Sequence, residues 1–147
     1  MGEPSAARTS WGYWLIAAIS LFWNGYGAYD YWMSHTAGDA YFRTVGLTPA
    51  HIAYFHAMPA WVTAVWALGV WGAVAGSVLL LLRSRWALAA FAASLAGLLV
   101  SLVYTYGLSN GAELAGAQGV IMNLVITAGA LFFLWFARRM ARRGVLR

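Results

Sequence analysis

Residues His56 to Leu82 read HAMPAWVTAVWALGVWGAVAGSVLLLL, and the 23 positions from Pro59 to Leu81 carry no formal charge. At 1.5 Å rise per residue such a run covers about 34 Å as a helix, enough to cross a hydrocarbon core of about 30 Å with some tilt. Arg83 and Arg85 end it. In lipid the backbone amides must be satisfied within the segment, so helix is expected despite the Val and Trp content.

Composition extends this reading to the whole chain. Of 147 residues, 63% are hydrophobic and 9% charged, far from the roughly 25% charged residues of soluble domains. Three further apolar stretches follow the same logic. The expected architecture is an all-α, integral-membrane four-helix bundle forming one domain over residues 1–147. Its spans fall at about 13–33, 59–82, 86–106 and 118–137, followed by a basic tail over 138–147. The polar start MGEPSAARTS precedes an apolar run too long and aromatic for a signal peptide, so the first span is expected to be retained.

Charge supplies orientation. All nine basic residues are Arg, and eight of them (Arg8, Arg83, Arg85, Arg138, Arg139, Arg142, Arg143 and Arg147) fall on one side of the four spans. Only Arg43 falls on the other. By the positive-inside rule both termini are expected in the cytoplasm. Arginines of the tail favour anionic lipid by about 1 kcal/mol each near the surface. The +5 charge is therefore a membrane-surface feature, and no nucleic-acid partner is expected.

Local signals refine the elements. Thr48-Pro49 is a helix start, so the second helix is expected to begin outside the membrane and to kink at Pro59, whose ring clashes with the preceding turn. Gly69, Gly72 and Gly76 in the second span, and Ala89, Ala93, Gly97 and Ser101 in the third, recur at helical spacing as small-residue ridges. Such ridges let two backbones approach closely. With a turn of about three residues between them, the two spans are expected to be antiparallel neighbours. Loops are expected from about Ser34 to Thr48 and from Gly107 to Gly119.

The candidate functional residues are polar groups at depths where lipid offers no hydrogen bond. Asn24, within a first-span stripe of Ser20, Gly27 and Tyr31, and Asn123, within a fourth-span stripe of Gly119 and Thr127, need partners. Two readings are open for them: an interhelical bond between the first and fourth spans, or a polar lining for a neutral solute. In the second reading Tyr26, Tyr31, Tyr104 and Tyr106 supply hydroxyls and stacking faces. Asp30, turned inward, would be a proton or cation site.

Catalysis finds little footing. There is no Cys, no Ser/His/acid set, no phosphate loop and no pair of buried carboxylates, so the expectation is a non-enzymatic protein with no catalytic residue. No cofactor is expected, since no His lies at mid-span to ligate haem. His35, His51 and His56 gather with Asp39 on the outer side as metal candidates. However, His51 and His56 are five apart, about 140° round a helix, and do not share a face.

The stretches WGYWLIA and LFWNGYGAYDYWM, then TPAHIAYFHAMPAWVTAVWALGVWGAVAGSVLLLLRSRWA and the final WFARRMARRGVLR, resemble a family of small bacterial four-span proteins often labelled sugar transporters. The resemblance covers nearly the whole chain. It implies the bacterial inner membrane as compartment and carries over no functional residue. In layout the chain is also similar to DoxX-like four-helix membrane proteins. The readings that follow are a helix-packing protein acting as a homo-oligomer or as an accessory subunit of a larger complex, an oligomeric carrier of a small neutral solute, or an outer-face metal-binding protein.

Overall fold

In a computed structural model, which describes residues 8–147, the chain folds into six α-helices and one π-helical turn. The start through Ala7 lies outside the described residues. Helix α1 runs Trp11–Thr36, α2 Asp39–Thr44, α3 Pro49–His56, α4 Ala60–Leu81, α5 Trp86–Val103 and α6 Gly111–Arg142, with the π turn at Tyr104–Leu108 between α5 and α6. Helix α4, α5 with its π turn, and α6 are long and apolar enough to cross a membrane.

Each helix boundary has a local cause. Ser10 caps α1 by accepting from the Tyr13 amide, and Thr48 caps α3 in the same way from the His51 amide, with Pro49 at the first position. The expected kinked second helix is instead two helices. Ala57 ends α3, and Pro59 stands in extended backbone (φ −60°, ψ 148°) before α4 begins at Ala60. A proline at the start of a helix sacrifices no bond, so separating the helices costs less than carrying the ring inside one. The expected first loop also departs from expectation, because it contains α2, framed by Gly38 and Gly46 at φ +54° and +84°. Helix α6 is interrupted at Gly116 (φ 61°, ψ −169°), two residues before the expected start of the fourth span.

The helices pack in the order α1, α4, α5, α6, with the densest contact between α4 and α5. Gly97 fixes their separation: a Cβ there would stand 2.9 Å from the Gly69 nitrogen and the Val65 carbonyl oxygen. A Cβ at Gly76 would meet the Phe91 ring at 2.8 Å. The small-residue ridge on α4 therefore faces α5. On α5 the buried line is Ala87, Phe91, Ser94 and Gly97, whereas Ala89 is exposed and Ala93 and Ser101 are half-buried. The expected four-residue spacing is replaced by a 4-3-3 pattern, closer to the 3.6-residue turn of a real helix.

The hydrophobic core sits at one end of the packed helices. Tyr13 and Ala17 of α1, Leu80 of α4, Ala87 and Phe91 of α5, and Phe133, Phe136, Ala137 and Met140 of α6 form it. Val145 and Leu146 belong to the same cluster, so the basic tail is folded rather than free. After α6 the chain reverses at Gly144 (φ +72°). The Arg147 amide then donates to the Arg83 carbonyl at 2.7 Å, and the Arg85 amide to the Arg147 carbonyl at 2.9 Å. The tail thus closes the Arg-rich end by pairing with the α4–α5 turn.

Candidate functional site

Two places concentrate polar chemistry: a seam between α1 and α4, and a cavity at the opposite end from the core.

In the seam, Ser20 and Ser77 are completely buried, with their hydroxyl oxygens 2.6 Å apart. The Ser77 hydroxyl donates to the Ala73 carbonyl at 2.9 Å, which uses its one hydrogen. It therefore accepts from Ser20, and also from the Asn24 amide at 2.9 Å. Asn24 Nδ2 also approaches Ser20 Oγ at 3.3 Å. Lower down, the Tyr13 hydroxyl donates to the Leu80 carbonyl. Asn24 is thus bound into α4 rather than across to α6.

Asn123 has a different partner. Its Nδ2 donates to the Tyr106 hydroxyl at 2.7 Å, on a surface where both side chains keep exposure. Asn24 and Asn123 are not bonded to each other. Thr127 turns its hydroxyl back to the Asn123 carbonyl at 2.7 Å, within its own helix. Tyr26 projects outward from α1 with 69% of its surface exposed.

The cavity has a volume of about 290 Å³, near the lower limit of about 300 Å³ for ligand pockets. Its walls come from four helices: Ser34 and His35 from α1, Asp39 and Phe42 from α2, Phe55 and His56 from α3, and Thr63 and Trp66 from α4. Phe42 and Phe55 stack with centroids 4.9 Å apart. Trp66 meets Phe55 at 6.0 Å and His35 at 5.5 Å, and Tyr31 stacks on His35 at 4.2 Å. At the rim His56 Nε2 lies 2.7 Å from Asp39 Oδ1, the two side chains being 65% and 40% exposed. The cavity offers aromatic faces with one polar pair at its mouth.

Asp30 lies beside this region but serves another bond. The Tyr41 hydroxyl donates to its Oδ1 at 2.6 Å, and that bond, followed by burial, raises the Tyr41 pKa. Tyr104 packs against Trp61 and Tyr54, at 5.7 and 6.2 Å. The three histidines have separate partners. His35 Nδ1 is 2.8 Å from the Tyr31 carbonyl, whereas His51 spans from Thr48 Oγ1 at 2.6 Å to the Leu114 carbonyl at 2.8 Å, tying α3 to α6. Among the described residues no three His, Cys, Asp or Glu side chains converge as metal ligands.

Sequence reading missed Ser77, Ser94 and the Val145-Leu146 return. Ser94, whose hydroxyl donates to the Gly69 carbonyl, stands one position from the expected ridge. Its signal was present in the 3.6-residue periodicity of Ala87, Phe91 and Ser94.

Comparison with models of known families, with curated proteins and with solved structures finds no match.

Proposed function

We propose that this chain is a non-enzymatic inner-membrane protein of four spans that acts through helix packing, as a homo-oligomer or as an accessory subunit of a larger complex. Helix α1 is the fourth span in this reading: its 26 residues extend about 39 Å. It runs beside α4 from Tyr13 near Leu80 to Tyr31 near Trp66, and its outer side presents Leu15, Ile19 and Phe22 to lipid.

The observation that carries the proposal is on α6. From Ala112 to Phe132 no residue of this helix is buried, yet the stretch contains the Asn123–Tyr106 bond. A hydrogen-bonded amide left on the outside at membrane depth favours a protein neighbour over lipid tails. Helices α1, α4 and α5 meanwhile satisfy their buried hydroxyls among themselves. Function by packing thus requires a partner at α6.

A second reading, a carrier of a small neutral solute, is favoured by the aromatic cavity at His35, Phe55 and Trp66. Purification in mild detergent separates the two. The packing reading expects a homo-oligomer or a stoichiometric partner, weakened by Asn123→Leu. A monomer, with solute uptake in reconstituted vesicles lost on Trp66→Ala, would replace it with the carrier.

A further inference from the structure

A groove of about 650 Å³ lies between the start of α1 and the end of α6. Its floor is apolar and aromatic, with Ile16 and Tyr13 from α1 facing Phe132, Phe136 and Met140 from α6. Its mouth is cationic: Arg8, Arg139 and Arg143 line it, and among the described residues no carboxylate pairs with any of them. Arg139 sits with its guanidinium carbon 5.3 Å from the centre of the Trp135 ring, which holds the charge at the rim.

The two halves of the groove have the polarity of one kind of molecule. Phe132 lies seven residues before Arg139, about 10 Å along the helix, so the apolar floor runs from the guanidinium groups toward the middle of α6. An anionic headgroup at the arginines would leave its acyl chain along Ile16, Phe132 and Phe136. Arginine matches phosphate oxygens with paired N–H donors. A second copy of the chain would instead bring the same three arginines against these, a like-charge contact with no acid among the described residues that line the groove.

We propose that this groove is a binding site for one anionic phospholipid of the leaflet on the Arg-rich side, with the phosphate held by Arg139 and Arg143 and an acyl chain lying on Phe132, Phe136 and Ile16. The site is distinct from diffuse attraction of lipid to a basic tail, because Arg138 and Arg142 carry equal charge and lie off the groove.

The test is native mass spectrometry of the full chain in detergent, titrated with phosphatidylglycerol, phosphatidylcholine or soluble glycerol phosphate. Phosphatidylglycerol should bind at one per chain. The pair Arg139→Gln/Arg143→Gln should weaken it by about tenfold or more, through the loss of direct charge-assisted bonds to the phosphate. The pair Arg138→Gln/Arg142→Gln should weaken it far less. All four arginines are exposed, so both variants keep the core. Equal losses in the two pairs would reduce the site to surface charge. Equal binding of phosphatidylcholine would remove the role of the arginines, and equal binding of glycerol phosphate that of the groove. A dimer insensitive to lipid but broken by Ile16→Arg would give the groove to a second copy.

Discussion

Ser77 has no solvent exposure, and its single oxygen serves Ala73, Ser20 and Asn24 together. Removing it takes the acceptor from the buried Ser20 hydroxyl and leaves the Asn24 amide only its longer approach to Ser20. Ser77→Ala should therefore cost about 1–2 kcal/mol of stability, read as unfolding by denaturing detergent. Ser20→Ala combined with Ser77→Ala should cost less than the two single losses added, since each hydroxyl is the other's partner. Strict additivity would mean that the 2.6 Å contact carries no coupling. The need of Asn24 for a partner was legible in the sequence, as a polar residue at depth on a stripe with Ser20. Its partner was not: Ser77 stands in GSVLLL, where one hydroxyl reads as a small packing residue until the neighbouring helix is in place.

The packing of α4 against α5 follows from Gly97, whose missing side chain lets two backbones touch. Since the obstructing atoms are the Gly69 nitrogen and the Val65 carbonyl, nothing flexible can give way. Gly97→Ala should separate the helices and cost about 1–3 kcal/mol through overpacking. Gly25→Ala on α1, where a Cβ has open space, should be neutral or slightly stabilising. Equal thermal midpoints for both variants in detergent would show that α4 and α5 can part without penalty. Charge-free runs and Gly spacing made α4, α5 and this contact readable, because both signals are local. The break at Pro59, the helix within the first loop and the return of the tail were less so. A proline marks a disturbance without choosing kink or break, and Val145-Leu146 among arginines becomes core only when the α4–α5 turn offers backbone partners. For the same reason the cavity was seen only as scattered polar residues: His35, Asp39 and His56 meet through turns at Gly38 and Pro59 that sequence spacing does not determine.

Across the whole molecule the arginines gather at one end. Arg147 pairs with the backbone of Arg83 and Arg85, while Arg8, Arg139 and Arg143 share one groove. Arg43 lies on α2, past the other end of α1. This end-to-end asymmetry is the quantity the positive-inside rule reads, so the Arg-rich end should face the cytoplasm and the His35–His56 cavity the opposite side. The chain has no native Cys, so a single introduced thiol reports without background. A cysteine replacing Arg138 leaves the charge asymmetry nearly intact, and one replacing Glu113 occupies an exposed position near the start of α6. In intact bacterial cells an impermeant thiol reagent should label the Glu113→Cys protein and spare the Arg138→Cys protein until the membrane is opened. Labelling of Arg138→Cys alone would invert the orientation, and equal labelling of both would mean that the chain inserts both ways despite its charge.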